Sequence, residues 1–90
     1  MYSIIIPLYN RPDEIKELLE TLITQTFTQF EVVIIEDGST IKSDKIIASY
    51  NDRLDIQYFE KENTGPGLTR NYGFEKAKHN YFIILDSDVI

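Results

Sequence analysis

Cysteine is absent from the 90 residues, which removes disulfide frameworks, thiolate metal sites and cysteine nucleophiles together. Positive charge is scarce. Nine Lys and Arg stand against 15 Asp and Glu, a formal charge of −6. Nucleic-acid binders carry the opposite balance, because basic side chains displace the counterions of phosphates, so no nucleic-acid partner is expected. A bound phosphate would need a cation or backbone N–H groups instead. No apolar run nears the roughly 18 residues of a membrane span, and the longest, 81–85, reads as a buried strand. The opening Met1-Tyr2-Ser3 lacks the basic region and long apolar stretch of a secretory signal, so a cytoplasmic location is expected. The 42% hydrophobic and 27% charged content is that of one folded unit with a modest core.

Residues 3–8 (SIIIPL) are apolar at adjacent positions, the mark of a central parallel strand covered on both faces. Asn10 can then cap a helix whose first turn holds Pro12 and Asp13. Ile15, Leu18, Leu19, Leu22 and Ile23 form one stripe of an amphipathic helix. A second buried strand over 30–35 runs into Glu36-Asp37-Gly38-Ser39-Thr40, and Ser43-Asp44 opens a second helix with Ile46, Ile47 and Tyr50. The alternation around Leu54, Ile56 and Tyr58 fits a half-exposed strand near the sheet edge. Residues 63–67 read as a loop, 68–78 as a helix, and 81–85 as a last strand ending in Asp86-Ser87-Asp88. The order β-α-β-α-β-α-β implies an α/β fold: an open, mostly parallel, Rossmann-like sheet with helices on both faces. Ligands of such sheets bind outside the carboxyl ends of the strands, where strand order reverses. The polar segments all fall there.

Asp86 and Asp88, two apart at a strand end, would share a side. Close carboxylates favour a hard divalent cation, Mg²⁺ or Mn²⁺, although the triplet alone also reads as a solvated turn. Asp37-Gly38 reads as a turn or as a carboxylate for the N–H of a base, and Arg70 as a surface cation or a planar donor. Gly65-Pro66-Gly67 follows the third strand and lacks a third glycine, and no glycine follows the first strand, which disfavours a dinucleotide site. Gly73 reads as the close approach of a helix to the sheet, and His79 as a surface residue.

In combination, SIIIPLYNR (3–11), QTF (25–27), FE (30–31), EDGST (36–40), NTGPGLTRNYG (63–73) and LDSD (85–88) resemble the family 2 glycosyltransferases, in order and spacing. The resemblance covers essentially the whole chain and implies the nucleotide-binding amino-terminal half of a GT-A fold. It implies a nucleoside-diphosphate sugar donor, most often a UDP-sugar, and a divalent metal, Mn or Mg. Carried over by position, Pro7, Leu8 and Tyr9 would line the base pocket, Asp37 would accept the uracil N–H, and Arg70 would reach the base or diphosphate. Asp86 and Ser87 would lie against the ribose and sugar, with Asp86 and Asp88 at the metal. Glu36 stands where aspartate is usual, Thr69 where alanine often precedes the arginine, and Val89 where a further aspartate is frequent. The resemblance implies inverting transfer to an acceptor hydroxyl, in polysaccharide, glycolipid or glycoprotein synthesis, with a catalytic base that no residue up to Ile90 matches. The expected domain is therefore 1–90 as a donor-binding portion truncated at its carboxyl end. The full-length protein would be cytoplasmic or at the inner face of a membrane.

Two other classes stay open on the residues alone. An apolar strand followed by Asp-x-Asp also resembles the magnesium-dependent phosphoryl-transfer enzymes of haloacid dehalogenase type, although there the motif opens the domain. A non-enzymatic α/β interaction domain, self-associating through a bare sheet edge, is the other.

Overall fold

The computed structural model describes residues 2–25, 29–79 and 81–85. The elements alternate as expected: β1 (Tyr2–Leu8), α1 (Pro12–Ile23), β2 (Phe30–Asp37), α2 (Asp44–Ala48), β3 (Ile56–Lys61), α3 (Pro66–Lys76) and β4 (Tyr81–Ile84). All strand pairs are parallel, and the order across the sheet is β3-β2-β1-β4. The chain steps outward from β1 to β2 to β3, then returns past β1 to β4. With one hand of crossover throughout, that reversal sends the helices to opposite faces.

Side-chain alternation along β1 and β2 supplies both faces. Ile4, Ile6, Leu8, Val32 and Ile34 meet the α1 stripe of Ile15, Leu18, Leu19 and Leu22, joined by Ile47 of α2. On the other face Ile5, Val33 and Ile35 pack against Tyr72, Phe74 and Ala77 of α3 and its end. The α3 backbone comes very close: a Cβ on Gly73 would lie 2.5 Å from Ile5 Cγ2 and 2.9 Å from Ile35 Cδ1. Gly73 thus has the packing role expected of it.

Several local expectations are corrected. Helix α3 begins at Pro66 rather than at residue 68, because the proline ring suits the first helical turn and Gly65 takes φ +91° just before it. The same helix ends at Lys76, two residues early, where Ala77 turns extended and the Lys78 N–H donates to the Glu31 carboxylate at 2.6 Å. Asn10 is not the cap of α1. Arg11 holds that position and no side chain caps the helix, while Asn10 adopts φ +50° and spends its carboxamide elsewhere. Tyr50 lies in the turn after α2, buried against the core. Strand β4 was expected to be buried, yet Tyr81, Phe82, Ile83 and Ile84 are 41 to 66% exposed. Among the described residues it pairs with β1 alone and lies at the sheet edge. His79 is not a free surface group: its Nε2 lies 3.9 Å from the Glu31 carboxylate and its side chain is half-buried.

Candidate functional site

The switch in strand order lies between β1 and β4, so the carboxyl ends of β1, β2 and β4 border the crevice where such sheets bind ligands. Register sets the walls. Pro7 faces Ile35 and Leu8 faces Glu36 across the β1–β2 ladder, so the β1 tip at Tyr9 stands beside the β2 tip at Asp37. Pro7 and Leu8 are buried, whereas the Tyr9 side chain is 49% exposed.

Consecutive strand residues point to opposite faces, and the two acids ending β2 are divided in that way. Glu36 turns toward α2. Its Oε1 accepts from the Ser43 backbone N–H at 2.8 Å and the Tyr58 hydroxyl at 3.1 Å, and its Oε2 accepts from Ser39 Oγ. Burial, and then the Glu36 charge, push the Tyr58 hydroxyl far above its ordinary value. Asp37 turns toward the loop that leads into α3. Its Oδ1 accepts from Lys61 Nζ at 3.1 Å and the Thr64 N–H at 3.0 Å, and its Oδ2 accepts from the Gly65 N–H at 3.2 Å. Lys61 Nζ also bonds Thr64 Oγ1. Burial raises the Asp37 carboxyl, but the Thr64 N–H, Lys61 and the Thr69 hydroxyl outweigh it and hold the group below the ordinary aspartate range. The carboxylate is therefore anionic near neutral pH and is only 5% exposed.

Gly38, at φ +70°, passes so close to Asn63 that a Cβ would lie 2.7 Å from its backbone nitrogen. The Asp37-Gly38 turn is thereby clamped against the 63–65 loop, with Asn63 Nδ2 donating to the Asp37 carbonyl at 3.3 Å. Arg70 lies in the second turn of α3, half-buried, with no hydrogen-bond or ion-pair partner recorded among the described residues. The preceding Thr69 is fully buried and donates to the Gly65 carbonyl at 2.8 Å. A cleft of about 340 Å³ opens at the tips of β2 and β3, between Gly38, Ser39, Lys42 and Glu60, with a 2.8 Å Lys42–Glu60 ion pair beside it.

The structure thus brings Pro7, Leu8, Tyr9 and Asp37 to adjoining strand tips, and the Asp37 loop ties that rim to the start of the helix bearing Arg70. Asp86, Ser87 and Asp88 lie outside the described residues. Among the described residues no group of three or more His, Asp or Glu could hold a metal ion. Sequence reasoning assigned no role to Asn10 in this rim or to Glu31 below it. Their long-range acceptor roles leave no local pattern, and the only cue was that both belong to the quoted segments.

An open parallel sheet with polar strand ends gathered at a switch point defines a nucleotide-binding type of α/β fold. Residues 3–90 match the family described as "Glycosyl transferase family 2". The chain belongs to that family. An uncharacterized glycosyltransferase of Rickettsia bellii is 42% identical over 86 residues, 96% of this chain and 12% of that protein. The crystal structure of Staphylococcus aureus TarS in complex with UDP-GlcNAc superposes with a TM-score of 0.89 at 36% identity, over 97% of this chain and 26% of that one. TarS is a poly(ribitol-phosphate) β-N-acetylglucosaminyltransferase. A mannosyltransferase of Pyrobaculum calidifontis, in complex with GDP-Man and Mn²⁺, shares the fold at a TM-score of 0.87 and 24% identity. The sheet and helices are those of the GT-A fold. The chain spans 12% of the length of the Rickettsia relative and 26% of the TarS chain.

Proposed function

We propose that this chain is the donor-binding portion of a metal-dependent glycosyltransferase that takes a UDP-sugar and transfers its sugar with inversion. The observation that carries the reading is the rigid Asp37 turn beside the β1 tip, in a chain 36% identical to a protein whose structure holds UDP-GlcNAc. Asp37 is anionic, nearly buried and fixed by Lys61, Thr64 and Gly65, with the Thr69 hydroxyl also against it, a rigid carboxylate at the pocket wall toward which the N–H of a uracil ring would be directed. The backbone of Pro7, Leu8 and Tyr9 forms the facing wall, and Arg70 supplies the planar donor for base or diphosphate in a protein otherwise poor in positive charge.

In the transfer, the bond from the sugar carbon to the diphosphate oxygen breaks as an acceptor hydroxyl oxygen bonds to the same carbon from the opposite side. The hydroxyl proton passes to a base, for which no residue of 1–90 is assigned. Asp86 and Asp88 would hold a divalent cation, Mn²⁺ or Mg²⁺, with Asp86 and Ser87 against the ribose and sugar. The Asp-x-Asp spacing after β4 supports this assignment. When bound, such a cation offsets charge on a departing diphosphate.

Calorimetry with UDP, Mn²⁺ and both tests the reading. Heat is expected with UDP, increased by Mn²⁺, and no heat from any combination refutes it. Without metal, Asp37→Ala weakens UDP binding more than Asp88→Ala does. Equal losses overturn the division of roles.

A further inference from the structure

We propose that Asn10 is a positioning residue for the nucleotide pocket: it staples the tip of β1 to the turn after β2 and so fixes the distance between the pocket's two walls. The inference rests on the uridine-binding reading above. Asn10 is the one non-glycine with positive φ among the described residues, at +50°. Left-handed backbone is disfavoured for residues bearing a Cβ and is tolerated best by Asn, Asp and Gly, so something must hold it there. Four hydrogen bonds do, one of them from Thr40 Oγ1 to Asn10 Oδ1 at 3.4 Å. The Asn10 N–H donates to Ser39 Oγ at 2.9 Å, and Oδ1 accepts from the N–H groups of Thr40 and Ile41, both at 2.9 Å. Ser39 in turn donates to the buried Glu36 carboxylate, which Ser43 and Tyr58 immobilise.

The location separates positioning from mere stabilisation. The β1–β2 ladder already joins the two strands as far as Leu8 and Glu36, so the staple adds nothing to the sheet itself. The bonds to Thr40 and Ile41 are solvent-exposed, where water satisfies the same N–H groups once the carboxamide is gone. What is lost without it is the fixed relation between Tyr9 on one side and Asp37-Gly38 on the other, the two walls assigned to the base. A pocket whose walls must be ordered on binding has lower affinity for the same contacts.

The test compares UDP binding by calorimetry and the thermal unfolding midpoint for the wild-type chain, Asn10→Gly and Asn10→Asp. Glycine accepts φ +50° without strain and deletes only the carboxamide. Aspartate keeps both the acceptor and the tolerance of that backbone region. Asn10→Gly is expected to bind UDP about ten-fold more weakly while its midpoint stays within about 3 °C, and Asn10→Asp to bind within about three-fold of wild type. Wild-type affinity in Asn10→Gly overturns the proposal. So does a large fall in its midpoint parallel to the loss of binding, or an Asn10→Asp variant as weak as Asn10→Gly. If the wild-type chain binds no UDP, the uridine reading fails and the proposal falls with it, an outcome distinct from the other three.

Discussion

Replacing Gly73 with alanine tests how closely α3 must approach the sheet for the rim to assemble. The added methyl would lie 2.5 Å from Ile5 Cγ2 and 2.9 Å from Ile35 Cδ1, both on fully buried residues. Ile35 Cδ1 is the end of a side chain and can move. Ile5 Cγ2 sits directly on a branched Cβ of a central strand and cannot swing away without leaving its rotamer. Restoring an ordinary contact of about 3.5 Å therefore requires α3 to lift by about 1 Å. Overpacking of this kind costs about 1–3 kcal/mol, and alanine returns up to about 1 kcal/mol of helix propensity. The net is a destabilisation of about 1–2 kcal/mol, which for a domain this size lowers the unfolding midpoint by about 5–15 °C. Urea and thermal unfolding followed by circular dichroism measure it. Because α3 starts from the loop bonded to Asp37 and carries Arg70, the proposed UDP binding is expected to weaken as well. Adding Ile35→Val removes the Cδ1 contact but not the Cγ2 contact, so it restores only part of the stability. An unchanged or raised midpoint in Gly73→Ala, or full restoration by Ile35→Val, refutes the reasoning.

Glu31 is fully buried and accepts from Ser3 Oγ, Gln57 Nε2 and the Lys78 N–H, each at 2.6 Å. Burial raises its carboxyl, but those bonds and the nearby His79 hold it below the ordinary glutamate range. A depressed folded value means that its stabilisation is present above the unfolded value of about 4.3 and is lost as pH falls through the folded one. Glu31→Gln should flatten that acid loss in a pH series of urea midpoints, leaving the share owed to Asp37; an unaltered slope would count against it. Tyr58 titrates in the opposite sense: its raised value gives stability below about pH 10 that declines as pH rises further, and Tyr58→Phe should remove that alkaline decline. If the slope between pH 9 and 11 matches wild type, on the order of the scatter between repeats, buried Tyr58 is not the cause of the decline. The exposed β4 edge, with Ile83 and Ile84 in the open, should promote self-association of the chain that Ile83→Lys reduces; light scattering showing monomer in both would dismiss it.

The sequence carried most of the fold because each element obeyed one dominant pattern. The unbroken apolar runs of β1 and β2 required cover on both faces, and the α1 stripe could only be one side of a helix. Failures came where a distant group decided the local conformation. Asn10 has every property of a helix cap, yet the turn 30 residues later claims its carboxamide. The last turn of α3 was extended too far because Lys76, Lys78 and His79 suit a helix end, whereas Glu31 draws the chain out of the helix at residue 78. An apolar run shows that a strand needs covering, not that cover is present, and so β4 was misjudged.

At the candidate site the same distinction separates what residue type can reveal from what packing adds. Asp37 was legible as a possible base acceptor or as a turn residue, two readings set against each other. The structure shows the turn role directly, in the bonds from the 61–65 segment. An ionised carboxylate has about four acceptor positions, and the turn occupies three, from Lys61, Thr64 and Gly65. Its neighbour Glu36, one residue away and therefore on the other face, also accepts three bonds, from Ser39, Ser43 and Tyr58. Adjacent acids that look equivalent in the sequence are thus unequal in placement: Glu36 ties the rim to the start of α2 and to β3, while Asp37 ties it to the loop that opens the helix bearing Arg70.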